Sequence, residues 1–214
     1  MKTLWLAGGS GLVGGELLRL LLDDDAFDVV IAVGRRPLAT AHPKLRQVTV
    51  DFGDPTTFDA LDAPDVAMCC LGTTLKRAGS REAFRAVDLD AVVTFAKGAR
   101  DKGARVFLHV TAIGADARAA TFYNKIKGEA EAAVAALGYD SVYALRPSLL
   151  DGEREESRPL ERVSLAVGRT LGPLLGKYRP TPARAVAAAL VASCKRAEPG
   201  VHVVDAGEIL RFAR

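Results

Sequence analysis

Along most of the chain, short runs of aliphatic and β-branched residues alternate with longer stretches in which apolar positions recur every three or four residues. The short runs predict strands near Thr3 to Ala7, Val29 to Val33, Leu45 to Val50, Asp65 to Leu71, Arg105 to Thr111, Ser141 to Leu145 and Val201 to Val204. Helical periodicity fills the gaps, most clearly at Leu12 to Leu22, Arg81 to Lys102, Tyr123 to Leu137 and Pro182 to Lys195. Strands alternating with helices pair in parallel through crossover connections. The expected architecture is therefore one α/β domain over residues 1–214, with six or seven mostly parallel strands and helices on both faces of the sheet. Two helix starts are marked. Ser80 precedes Arg81 as an N-cap, and Thr181 is placed to cap a helix with Pro182 at its first position.

Between Asp151 and Arg179 the pattern breaks into a charged loop to Arg158, an apolar stretch near Leu160 to Leu171, and the punctuation of Gly172, Pro173 and Gly176. This is too short for a second domain. As an insert across the carboxyl edge of the sheet, where open α/β sheets hold their ligands, it is the expected location of groups that select a small-molecule substrate. Nothing in it identifies that substrate.

Composition removes several classes. The 214 residues, 49% of them hydrophobic, suffice for one sizeable core. Against 26 acidic residues stand 29 basic ones, a net charge of +3 that gives no reason to expect a nucleic-acid partner. The apolar runs fall far short of the ~18 residues needed to span a bilayer, so no membrane segment is expected. Met1 and Lys2 lead straight into a strand and a glycine cluster, not into a signal peptide. The three cysteines, adjacent Cys69 and Cys70 and lone Cys194, make neither a disulfide framework nor a metal site. A cytoplasmic protein is the expectation.

Gly8, Gly9, Ser10, Gly11, Leu12, Val13 and Gly14 directly follow the first strand and open the first helix. In that context glycines permit a tight turn, let backbone N–H groups approach a pyrophosphate at the helix N-terminus, and allow helix and strand to pack closely. The spacing is GxxGxxG, one residue wider than the usual dinucleotide fingerprint. At the end of the second strand, roughly 20 residues on, an NAD-selective site offers an acidic group to the ribose. No Asp or Glu stands between Val29 and Val50; Arg35 and Arg36 stand there instead. A guanidinium suits a 2′-phosphate in charge and geometry, so NADP(H) is expected in preference to NAD(H), which remains possible.

Tyr123 and Lys127 lie four residues apart at the start of a helix and so share a face. An ammonium beside a phenol stabilises the phenolate and suits the pair to proton transfer. Together with Gly8 to Gly14, Cys69 to Thr74, Ala112 to Asp116, Tyr123 to Glu129 and Leu145 to Ser148, the sequence resembles the short-chain dehydrogenase/reductase superfamily, specifically its atypical, Tat-interacting-protein-like NAD(P)-binding members and their bacterial relatives. The resemblance implies a seven-stranded Rossmann-type core with the glycine loop, including Ser10, Leu12 and Val13, on the pyrophosphate. It also implies Arg35 near the adenosine phosphate, Asp51 and Phe52 beside the adenine, Leu71, Gly72 and Thr73 along the cofactor, and Pro147 and Ser148 flanking the nicotinamide. By the same resemblance Tyr123 would protonate a substrate oxygen during hydride transfer while Lys127 binds the nicotinamide ribose.

Two positions depart from that pattern. Where such enzymes carry a serine, this chain has Thr111 followed by Ala112, so the third catalytic member is Thr111 or is absent. Asp88 stands near where many members carry an asparagine. His42, His109 and His202 have no second ligand at metal spacing, and no metal is expected. Tyr178 reads as a solvated loop residue, with contact to an anionic substrate as the alternative, and Glu153 to Arg158 as an exposed segment from which Arg154 or Arg158 could also reach a ligand. The leading expectation is an NADP(H)-dependent oxidoreductase acting on an unknown carbonyl or alcohol. A non-catalytic NADP(H)-binding redox sensor or regulatory interaction protein, and an epimerase that retains its cofactor, share the same cofactor loop. If a homodimer forms, the apolar faces of the helices starting at Arg81 and Tyr123 are its candidates, as in related dehydrogenases.

Overall fold

The computed structural model describes residues 2–151 and 179–213. Its strands are β1 (Thr3–Ala7), β2 (Val29–Gly34), β3 (Leu45–Thr49), β4 (Val66–Cys69), β5 (Val106–Val110), β6 (Ser141–Arg146), the two-residue β7 (Leu150–Asp151) and β8 (Thr181–Pro182), and β9 (Gly200–Asp205). Seven of them form one sheet in the order β3-β2-β1-β4-β5-β6-β9. Every pairing is parallel, so the six or seven mostly parallel strands read from the sequence resolve to seven, all parallel.

Alternation along β1 explains the two layers. Leu4 and Leu6 face one side, where α1 (Leu12–Asp23) and α6 (Ala183–Arg196) supply Leu17, Leu21, Val186 and Leu190 to a common core. Trp5 and Ala7 face the other side, covered by α4 (Ala91–Asp101) and α5 (Phe122–Ala135), where the core is aromatic. Trp5 is fully buried, stacks on Phe58 with ring centroids 5.8 Å apart, and donates its indole N–H to the Asp62 carbonyl at 2.9 Å. That bond removes the cost of burying the indole nitrogen. A third, small cluster of Phe84, Leu89, Ile126 and Ala130 lies between α5 and the segment that begins with α3 (Arg81–Arg85). Part of the apolar faces named above for a dimer is thus occupied within the chain, Phe84 and Leu89 meeting Ile126 and Ala130.

Two local departures from the sequence reading have clear causes. The helix expected over Arg81 to Lys102 starts as foreseen, with Ser80 accepting the Ala83 N–H at 3.0 Å, but between α3 and α4 it passes through a π-helical turn, Ala86–Asp90. Thr181 is not the N-cap of α6. It is drawn into β8, paired with Leu150, and its hydroxyl meets that of Ser148 at 2.9 Å, so Pro182 becomes the N-cap. The insert expected over 151–179, with Arg154, Arg158 and Tyr178, lies from 152 to 178 outside the described residues; the β7–β8 ladder joins its two ends.

Helix α5 reaches the sheet edge through a glycine. A Cβ at Gly128 would overlap the Asp116 carbonyl carbon and the Ala117 nitrogen, both backbone, so neither side yields easily. At Gly15 in α1 a Cβ would meet only the Gly9 carbonyl oxygen, at an ordinary contact distance of 3.8 Å. Accordingly Gly128→Ala should lower unfolding free energy in urea by about 1–3 kcal/mol, as overpacking does. Gly15→Ala should leave it unchanged or raise it by about 0.5–1 kcal/mol through helix propensity.

Candidate cofactor site and reactive centre

Strand β1 has β2 on one side and β4 on the other, and this reversal of winding opens a crevice at the carboxyl ends of the strands. Gly8 is the first residue past β1 and has φ +83°, a left-handed conformation that favours glycine. A Cβ there would also sit 2.5 Å from the Cys70 carbonyl carbon, so the turn is pressed against the end of β4. Gly14 is needed for the same contact from the helix side, since its Cβ would overlap the Gly8 carbonyl oxygen. That oxygen accepts the Gly11 N–H at 2.9 Å. Gly11 is the N-cap of α1, no side chain caps it, and the first turn holds no acid. Free N–H groups at such a terminus are an anion site.

A cavity of about 330 Å³ lies in front of this turn, with Gly8, Ser10, Arg35, Arg36, Phe52 and Leu71 on its walls. Its size, its glycine floor and its two guanidiniums suit the adenosine half of a dinucleotide. Arg35 and Arg36 are exposed at its rim. The turn behind them is held by Gln47, whose side-chain oxygen accepts the Leu38 N–H at 2.6 Å while its amide donates to the Thr40 carbonyl at 2.7 Å. Val13 is buried in the core, and Leu12 is half-buried against it. Asp51 is exposed, and its carboxylate accepts the Gly53 N–H at 2.9 Å.

On the far side of the crevice, Tyr123 and Lys127 share the first turns of α5, which Thr121 caps by accepting the Asn124 N–H at 3.4 Å. Tyr123 is half-buried against Phe84, ring centroids 5.5 Å apart. Lys127 is buried, with its Nζ 2.7 Å from Asp88 Oδ1. Asp88, in the π-helical turn, is itself buried and accepts the Thr73 N–H at 2.8 Å through Oδ2. Gly72 packs directly on the pair: a Cβ there would lie 3.4 Å from both Asp88 Oδ1 and Lys127 Nζ. Burial alone would push the Lys127 ammonium down. The Asp88 carboxylate outweighs it, with a further contribution from Tyr123, and holds Lys127 above the ordinary lysine value.

Other expected site residues are occupied differently. The Thr111 hydroxyl donates to the Leu145 carbonyl at 3.2 Å, so its proton is spent within the sheet and not offered across the crevice. Pro147 is buried, its carbonyl accepting the Ile113 N–H at 2.9 Å. The Ser148 hydroxyl is tied to Thr181 and to the Arg179 carbonyl. Beneath the Tyr123–Lys127 pair, burial pushes the Cys69 thiol up to about 12, which leaves it protonated and unreactive. The part Asp88 plays as partner of Lys127 was not foreseen from the sequence. A signal existed, since Asp88 follows Phe84 by four residues on the face that otherwise carries Leu89, Val92 and Phe95 inward.

Comparison with known proteins agrees with this geometry. The sequence pattern described as NAD(P)H-binding matches residues 8–196. The chain belongs to this NAD(P)H-binding family. Among its curated relatives, Protein FMP52, mitochondrial, of Coccidioides immitis is 30% identical over 100% of this chain and 97% of that protein. Protein HTATIP2 of Rattus norvegicus is 37% identical over 75% of this chain and 67% of that protein. The fold is also that of MoeE5, solved in complex with UDP-glucuronic acid and NAD, with a TM-score of 0.73 and 19% identity over 98% of this chain and 80% of that one. The likeness to Tat-interacting-protein-like NAD(P)-binding proteins and a single Rossmann-type domain are thereby shown. The cytoplasmic expectation does not stand: the relatives from Coccidioides immitis, Emericella nidulans and Aspergillus niger are named mitochondrial, which points away from the cytosol.

His109 lies on β5 below the crevice, buried, with its Nε2 unpartnered. Burial first, then the charges of Lys127 and Arg146, push its pKa down to about 3. In the unfolded chain the imidazole takes up a proton near pH ~6.5, so the unfolded state binds more protons than the folded one between that pH and about 3. Stability should therefore fall as pH drops through this window, His109 contributing about 1.4 kcal/mol per pH unit once it is well below ~6.5. Comparing urea denaturation of the parent and His109→Gln between about pH 7 and 4 isolates this share, because the variant should lose that part of the slope.

Proposed function

We propose that the chain is an NADP(H)-dependent oxidoreductase of the atypical short-chain dehydrogenase/reductase type, acting on a carbonyl or alcohol of a small molecule. The observation that carries the proposal is a phenol, Tyr123, on one helix face with a buried and charged Lys127, at the sheet edge that also holds the glycine turn. The cofactor fits the residues present, because Gly8 and Gly14 leave room where side chains would collide and the N-terminus of α1 is uncapped.

When bound, the nicotinamide supplies or accepts the hydride. In the reducing direction Tyr123 gives its hydroxyl proton to the substrate oxygen as that oxygen gains negative charge, and in the oxidising direction it takes the alcohol proton. Lys127 stabilises the phenolate left behind and offers its remaining N–H donors to ribose hydroxyls. With the Thr111 proton engaged by Leu145, Tyr123 carries the polarisation of the substrate oxygen without the serine that related enzymes use. Arg35 and Arg36, on a rim whose strands β2 and β3 carry no acid, support NADP(H) over NAD(H).

Fluorescence titration should give an NADPH dissociation constant at least ~10-fold below that of NADH, and the double variant Arg35→Ala/Arg36→Ala should remove the difference. Equal affinities in the parent would discard the NADP(H) preference. In a panel of carbonyl substrates, NADPH oxidation should fall by about 10²–10⁴-fold in Tyr123→Phe with little change in NADPH affinity. Tight NADPH binding with no turnover of any carbonyl would favour the redox-sensor reading.

A further inference from the structure

Among the described residues, Asp88 and Lys127 form an ion pair unlike the others, with side chains 0% and 7% exposed. Exposed pairs contribute little, but a buried ammonium without a partner costs several kcal/mol and would shed its proton instead. An asparagine at this position would offer a carbonyl but no charge. The carboxylate sets the electrostatics of the centre, and it is contacted from two sides. The π-helical turn adds a residue to the helix at this point and carries Asp88 in the face turned toward α5. One carboxylate oxygen takes the Lys127 Nζ, and the other takes the Thr73 N–H from the loop after β4. Gly72 packs over both groups, where an added Cβ would come within 3.4 Å of each.

We propose that Asp88 is a positioning residue of the reactive centre, whose carboxylate clamps the Lys127 ammonium to the Gly72–Thr73 loop. This rests on the oxidoreductase reading for its consequence, but the clamp itself belongs to the cofactor-free chain. The other titratable groups facing Lys127 are Tyr123 on its own helix, Cys69 on β4 and His109 on β5. The Cys69 thiol is held protonated and His109 neutral by burial, so neither supplies the missing negative charge at neutral pH. Asp88 alone among these four is a carboxylate. The same bond that keeps Lys127 charged also fixes where it stands relative to the loop lining the crevice.

The test reads Lys127 directly and then through the cofactor. Lysine labelled with ¹³C at Cε, with the Lys127 signal assigned by its loss in Lys127→Met, is titrated by NMR in the cofactor-free protein. In the parent the signal should not move up to about pH 10, whereas in Asp88→Asn it should titrate below about pH 9. Asparagine keeps the size of the side chain and an acceptor for Thr73. In parallel, the NADPH dissociation constant of the parent should change less than ~2-fold between about pH 7.5 and 9.5, while that of Asp88→Asn should weaken by ~10-fold or more. Asp88→Glu, which restores the charge, should restore the flat profile even where its affinity is lower. A Lys127 signal that titrates below about pH 10 in the parent overturns the proposal without any variant. So does an Asp88→Asn protein whose Lys127 signal and NADPH profile match the parent. If the parent binds no NADPH, the oxidoreductase reading fails while the NMR titration still decides the clamp.

Discussion

The backbone of Gly8 and that of Cys70 and Leu71, just past β4, approach so closely that no side chain fits between them, and the carboxyl edge of the sheet is organised around that approach. It brings the first-turn N–H groups of α1 to the mouth of the crevice. It also sets the level at which Leu71, Gly72 and Thr73 leave β4, and through Thr73 the position of Asp88. The glycine turn, usually considered only for what it offers a pyrophosphate, is here also the first link in a chain of contacts that ends at Lys127. Each link is short and made by backbone or by a buried charge, so the two ends of the crevice share one rigid frame.

The two faces of the sheet contribute unequally to this frame. The face covered by α1 and α6 is mainly aliphatic and, among the described residues, buries no ionised side chain. The opposite face is aromatic, and at its carboxyl end it gives way to Cys69, His109, Asp88 and Lys127, all buried. The charges of Asp88 and Lys127 are both buried, so they interact in a medium of low polarity. The same burial keeps Cys69 protonated and His109 neutral, which leaves a single ion pair as the polar focus beneath Tyr123.

Much of this was legible from residue order. Strand and helix periodicities located all seven strands of the main sheet and the four long helical segments within a few residues, because alternation in β1 and the three-to-four spacing in α1 reflect burial on defined faces. The glycine turn, Arg35 and Arg36 and the Tyr123–Lys127 spacing were equally visible. What escaped depends on contacts between segments distant in sequence. Thr181 looks like a helix cap until Leu150 is known to lie beside it, and Thr111 looks like a serine substitute until its hydroxyl finds the Leu145 carbonyl. Asp88 was seen as a departure but not as a partner, since a π-helical turn has no signature in spacing and Lys127 is 39 positions away.

The short β7–β8 ladder has a consequence of another kind. Leu150 and Thr181 are neighbours across it, so the chain leaves the common fold and re-enters it at a single point. The number of residues between these two points can therefore vary without shifting the register of any strand of the seven-stranded sheet. In a lineage built on this plan, insertions and deletions at that point leave the parallel core intact.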